Sequence, residues 1–227
     1  MWVALYLIYL GLRDVSIGTA QEAVRNGLAL VHAEEALGLF HEAAVQRAIA
    51  GTHLEAWFDV YYMVGFGPAI FAMLVWLGLR HRDEYKTLRT RLLVSLAIAS
   101  ILYVLVPTAP PRLVPGLDIG DTVGLAAHDT GSFAGIQFNP YAAMPSMHVG
   151  WTLLLAIVGF RVCRRRLVRV AFALYPVGMA ICVVATGNHY FLDSIVGAGV
   201  ALLAIVICSS RLRGRLSGRT LTRPSYG

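Results

Sequence analysis

Residues 139–163 read NPYAAMPSMHVGWTLLLAIVGFRVC, and the fold turns on the second half of that stretch. From Met147 to Cys163 the chain is apolar apart from His148, Thr152 and Arg161, a run of about 17 residues, the lower limit for a helix that crosses a bilayer. Comparable runs lie at 56–79, 92–106, 167–186 and 194–208, several of them interrupted by Gly or Pro, which spanning helices tolerate. Composition agrees: 57% of residues are hydrophobic, 14% are charged and the mean hydropathy is +0.65, whereas a soluble domain carries about 25% charged residues. The sequence therefore predicts an all-α integral membrane bundle, a single domain over residues 1–227 with a basic tail from 209 to 227. The opening MWVALYLIYLGL is short for a span and lacks the basic lead of a signal peptide. It reads as a tilted first helix, which brings the expected number of spans to about six.

Charge sets the expected orientation, because Lys and Arg collect in cytoplasmic loops. Of 19 basic residues, five cluster at Arg80, Arg82, Lys86, Arg89 and Arg91, five at Arg161, Arg164, Arg165, Arg166 and Arg169, and five at Arg211, Arg213, Arg215, Arg219 and Arg223. Loops 80–91 and 161–169 and the C-terminal tail are thus expected inside. The opposite face keeps most of the carboxylates with Arg13, Arg25, Arg47 and Arg112. The net charge of +6 reports topology in this reading and calls for no nucleic-acid partner; the tail is placed to meet anionic membrane lipids. Cys163, Cys182 and Cys208 fall in or beside spans as small apolar residues, without disulfide or metal spacing. Lys86 is the single lysine, which points to a GC-rich bacterial genome and hence a bacterial plasma membrane.

Residues 21–50 alternate apolar positions (Val24, Leu28, Val31) with acids (Glu34, Glu35, Glu42) at helical spacing. They predict one or two interfacial helices broken near Gly38, packed on the bundle or offered to a partner. The connection from 107 to 146, opening PTAPPR and closing NPYAAMPS, is long enough to form a lid or binding surface.

Three ionisable residues fall at one depth on the expected outer side. His148 opens one span, and His189 and Asp193 stand at the start of the last. Spaced four apart, His189 and Asp193 share a helix face, so the carboxylate can orient one ring nitrogen and leave the other as base or nucleophile; the same spacing also suits a solvated local pair. The two imidazoles are expected to face each other across a gap on that side.

PSMH followed by GNHYFLD resembles the second and third motifs of the type 2 phosphatidic acid phosphatase superfamily. PTAPPR, NPYAAMPSMH and ATGNHY together resemble its branch that includes inositol phosphorylceramide synthases. The resemblance implies a metal-independent and cofactor-free hydrolase or phosphotransferase acting on a lipid phosphate or diphosphate at the extracytoplasmic face. In that family pattern His189 is the nucleophile that becomes phosphorylated, Asp193 orients it and His148 is the general acid. Arg112 of PTAPPR matches the first-motif phosphate ligand, although it also suits a loop cation paired with Asp118 or Asp121. The Ser-Arg pair that precedes the third-motif histidine in much of the family is replaced by Cys182 and Val183. Ser146, Asn188, Tyr190 and Arg13 complete the expected substrate-binding set, with helix N-terminal amides as further phosphate donors. Two other readings use the same residues: a metal site of two histidines and a carboxylate, and a non-enzymatic lipid-binding or transport protein whose polar cluster marks a pathway.

Overall fold

The structure is a computed structural model that describes residues 19–124, 132–133, 136–137 and 139–220. The expected first span and Arg13 lie outside the described residues. Helix α1 (Ala20–Leu37) begins at Thr19, whose hydroxyl accepts the Glu22 amide, and stops at Gly38 in the left-handed conformation, φ 66°. α2 (Glu42–Ile49) follows, so the 21–50 segment is two helices broken at Gly38. Glu34 and Glu42 are wholly buried, contrary to the expectation that they form the polar face.

The span expected at 56–79 is a broken one. α3 (His53–Val64) and α4 (Gly67–Arg80) meet at 44° across Gly65 and Phe66. The break is held from a neighbouring helix: the Tyr175 hydroxyl donates to the Gly65 carbonyl, and Tyr61 donates to the Tyr175 carbonyl at 3.2 Å. Such breaks survive in membranes where protein groups satisfy the freed backbone.

α5 (Arg82–Leu105), α6 (Met147–Val162), α7 (Arg166–Ala185) and α8 (Phe191–Thr220) supply the other spans. The expected basic loop at 80–91 is helical from Arg82, because the chain reverses at His81 alone, and Arg91 is buried inside the bundle. The basic tail likewise continues α8 as far as Thr220. Among the described residues, α5, α7 and α8 are long and apolar enough to cross a membrane, and α3 with α4 makes a fourth such unit. α6 has 16 residues, about 24 Å at 1.5 Å per residue, less than the roughly 30 Å hydrocarbon core. It can be short because its neighbours shield it, packing on it from α4, α5, α7 and α8.

Leu77, Leu88, Leu92, Leu154, Leu155, Val158 and Ala201 form the main interior cluster, while Phe71, Leu79, Leu105 and Leu167 point outward, as a lipid-facing surface requires. In lipid, helices associate through close packing rather than through apolar burial. The closest approach lies where α8 crosses the start of α6: a Cβ on Gly197 would sit 2.0 Å from the Ser146 carbonyl oxygen, so only glycine fits.

The 107–146 connection is pinned at its two ends. Thr108 donates its amide to Tyr141 at 2.7 Å and receives that of Ala143 at 3.2 Å, and Asn26 of α1 donates to Pro107. This brings PTAPPR, with its 3-10 turn Pro111–Leu113, beside PSMH. Within the connection, β1 (Ser132–Phe133) pairs antiparallel with β2 (Ile136–Gln137).

Candidate active site

His189 and Tyr190 lie in the non-helical approach to α8, so His189 and Asp193 do not share a helix face as their spacing predicts. They meet by another route. Asp193, in the first turn, folds back so that its Oδ2 accepts the Tyr190 amide at 2.9 Å, the return arm of a capping box. The same oxygen stands 3.2 Å from His189 Nδ1, which is nearer still to the Ala143 carbonyl, at 2.8 Å. A carbonyl only accepts, so Nδ1 carries the ring proton and Nε2 the lone pair. Burial pushes the His189 pKa down from 6.5 to about 3; the Ala143 bond opposes the shift and the charge of Arg112 adds to it. The ring is therefore neutral near pH 7, with a lone pair free to act as nucleophile.

That lone pair faces His148 Nδ1 at 3.3 Å, with the rings 5.4 Å apart and inclined at 61°. The histidines are in hydrogen-bond contact, and the expected gap is closed. Tyr62 of α3 and Phe66 in the α3–α4 break pack on the His148 ring at 4.6 and 4.0 Å, beside its contact with His189.

Arg112 is buried, its side chain 7% exposed. Its guanidinium donates to Asn188 Oδ1, its amide donates to Gly187 at 3.1 Å, and its Nε lies 4.0 Å from Asp121. Burial lowers its pKa, with Tyr62 and Asp121 offsetting the shift, yet an arginine stays charged under these conditions. The expected pairing is with Asp121, and the same cation also acts electrostatically on the His148 and His189 rings. Gly187 permits the turn: φ is +69°, and a Cβ there would meet the Gly120 carbonyl at 2.7 Å.

Ser146 precedes α6, wholly buried, with its amide on the Asp193 carbonyl at 3.0 Å and its hydroxyl without a hydrogen-bond partner among the described residues. Asn188 bridges Arg112 and Thr186. Tyr190 is wholly buried with its hydroxyl on Ala109 at 3.2 Å, and burial pushes its phenol pKa up. It ties α8 to PTAPPR and has no hydroxyl donor to spare for a ligand. At the positions of the missing motif pair, Cys182 and Val183 are buried, and the Val183 carbonyl accepts the amides of Asn188 and His189 at 3.0 and 3.1 Å.

Sequence reasoning missed Tyr62 and Phe66, which are ordinary members of an apolar run, whereas Asp121 was one of the two partners expected for Arg112. It also missed the role of Glu34 and Glu42, although two acids among apolar helical positions were a usable signal. Among the described residues no group of three or more His, Cys, Asp or Glu is arranged to hold a metal ion. A groove of about 620 Å³ runs from Phe66 and Trp151 along α4, past Ile70 and Leu74 to Leu79 and Tyr85; Phe66 is thus shared with the His148 ring.

The sequence model of the PAP2 superfamily matches residues 28–207. The crystal structure of LpxE from Aquifex aeolicus is similar in fold, with a TM-score of 0.57 at 17% identity over 75% of this chain and 92% of that one. No curated protein matches the sequence.

Proposed function

Because this chain belongs to the PAP2 superfamily, and so is a membrane lipid phosphatase in outline, we propose that it cleaves a lipid phosphate or diphosphate through a phosphohistidine on His189. One observation carries the proposal. His189 Nε2 holds a lone pair directly opposite His148 Nδ1, its other nitrogen is tied to Ala143 and Asp193, and the buried charge of Arg112 acts on both rings.

Nε2 attacks phosphorus while the bond from phosphorus to the lipid-side oxygen breaks. That oxygen takes a proton from His148, and Asp193 stabilises the positive charge that develops on the His189 ring. A phosphorus atom bonded to Nε2 needs the place His148 Nδ1 now holds, so His148 turns aside between Tyr62 and Phe66 before attack. Arg112, positioned by Asn188, meets the nonbridging oxygens together with the Ser146 hydroxyl and the first amides of α6. The α8 amides are already committed, those of Tyr190, Phe191 and Leu192 to Asp193, Glu42 and Glu34. In the second half-reaction His148 takes a proton from water, whose oxygen displaces the imidazole from phosphorus. The proposed chemistry draws acid, nucleophile and charge stabilisation from side chains alone, without metal or cofactor. The groove along α4 suits the hydrocarbon chain of the lipid. The basic far end of the bundle supports a site on the extracytoplasmic face of a bacterial plasma membrane.

A second reading, transfer of the phosphoryl group to an alcohol such as inositol, is favoured by Met147 in PSMH: the superfamily's second motif resembles Pro-Ser-Gly-His, and the branch that includes inositol phosphorylceramide synthases commonly carries a hydrophobic residue in place of that glycine. Purified protein is to be incubated with a panel of lipid phosphates and diphosphates, with and without chelator and with and without alcohol acceptors. Released phosphate that survives chelation and is lost in His189→Ala supports hydrolysis; a new acceptor-dependent phosphodiester product supports transfer. Binding without turnover of any member of the panel would refute both.

A further inference from the structure

The first turn of α8 carries Asp193 and follows directly on His189, and two of its amides are satisfied from the N-terminal helices. Glu42 of α2 accepts the Phe191 amide at 3.1 Å, and Glu34 of α1 accepts that of Leu192 at 2.6 Å. Both acids are wholly buried, and Phe191 and Leu192 are the two residues between Tyr190 and Asp193. Each carboxyl spends one oxygen on α8 and keeps a second, Oε2, that no N–H or hydroxyl among the described residues reaches. After burial, a bond to Glu42 and the repulsion between the two carboxyls both act to raise the Glu34 pKa. Two carboxylates cannot hydrogen-bond, so one proton sits between them.

We propose that Glu34 and Glu42 are positioning residues, a proton-sharing carboxyl pair that clamps the first turn of α8 and so holds His189 on Asp193. The inference rests on the proposed role of that dyad and adds the reason for the two interfacial helices: they deliver the clamp. Gly38 turns the chain so that acids eight residues apart reach the same helix end. The groups that act on Glu34 are Glu42 from α2 and Asp193 from α8, both acidic, and the Tyr190 phenol faces all three. With no cation among them, the pair holds only while it is protonated once. Burial first, then the bond to Glu42, pushes the Glu34 pKa up from 4.5 to about 9. Raising the pH past that point puts three negative charges around one helix start and opens the clamp.

Amide hydrogen exchange of the full chain in detergent tests this without reference to activity. Rates at 190–194, taken relative to the intrinsic rate at each pH, are to be compared for wild type, Glu34→Ala and Glu34→Gln. Glutamine keeps an acceptor for Leu192 and gives Glu42 a permanent N–H donor. The expected result is loss of protection of at least tenfold in Glu34→Ala, retained protection in Glu34→Gln, and loss above about pH 9 in wild type but not in Glu34→Gln. Turnover should follow, with kcat falling at unchanged KM in Glu34→Ala and an alkaline limb displaced upward in Glu34→Gln. Equal protection in all three proteins, or loss in Glu34→Gln at every pH, would overturn the clamp. If Glu34→Ala fails to fold, the comparison of wild type with Glu34→Gln across pH decides alone. A wild type inactive on every lipid phosphate but showing the exchange pattern would refute the proposed reaction and leave the clamp standing.

Discussion

Replacing Arg112 by alanine tests the phosphate-binding assignment most directly. Its side chain is 7% exposed, so little water stands ready to replace the lost charge. Removing one oriented donor from a developing oxyanion costs about 2.7–4 kcal/mol, or roughly a hundredfold to a thousandfold in rate; kcat/KM should fall by that much. Arg112→Lys keeps the charge and loses the planar fork, and should lie between. The competing assignment, a cation that merely pairs with Asp121, makes a different forecast. At 4.0 Å the Arg112–Asp121 attraction has a ceiling of about 4 kcal/mol at an effective dielectric constant near 20. Asp121→Asn removes this attraction and leaves Arg112 in place. If Arg112 binds phosphate, Asp121→Asn lowers KM; if it only pairs with Asp121, both variants lose thermal stability alike and neither changes KM. The pH profile adds a second readout. Arg112 is one of the causes that depress the His189 pKa, so its removal should move the acid limb of kcat/KM upward. Steady-state kinetics on any turned-over lipid phosphate read both effects. Wild-type kinetics in Arg112→Ala would refute the assignment.

Asp193→Asn keeps an oxygen for the Tyr190 and His189 N–H groups and places its amide where Oδ1 now has no partner; the loss of about 1.5–3 kcal/mol of charge-assisted bonding should lower kcat by about tenfold to a hundredfold, and unchanged kcat would remove its orienting role. His189→Ala should abolish turnover of every substrate, whereas His148→Ala should still form the phosphohistidine from an aryl phosphate, whose leaving group needs no proton; acid-labile phosphoprotein on a gel distinguishes them. Gly197→Ala drives a Cβ to 2.0 Å from the Ser146 carbonyl and should cost about 1–3 kcal/mol, seen as a lower Tm, while Gly199→Ala, with nothing within 4 Å, should be neutral. Stability should also show a plateau in pH. The His189 pKa, lowered from 6.5 to about 3, makes the folded state lose stability as pH falls through that window, and the Glu34 pKa, raised from 4.5 to about 9, makes it lose stability as pH rises through its own. The two slopes cancel between 4.5 and 6.5, where Tm should peak.

The residues that meet in the candidate site were legible because they are rare: an ionisable side chain at a span end is conspicuous among apolar neighbours, and His148, His189 and Asp193 stand out for that reason alone. What was not legible is how they meet. Four-residue spacing predicts a shared helix face, but α8 starts at Phe191 because the amides of Tyr190, Phe191 and Leu192 are taken by carboxylates, two of them about 150 residues away in the chain. No local pattern encodes a cap delivered from that distance. The same holds for the missing arginine. Val183 occupies a position whose backbone carbonyl gathers the amides of Asn188 and His189, so the turn that presents His189 is built from main chain and does not depend on that side chain. The cation is then free to come from elsewhere, and Arg112 reaches Asn188 because PTAPPR is pinned to the PSMH segment through Thr108. A charge can be moved between motifs in this way only if the loops that carry them are fastened together, which makes the Thr108 bonds to Tyr141 and Ala143 part of the site's electrostatics rather than loop decoration.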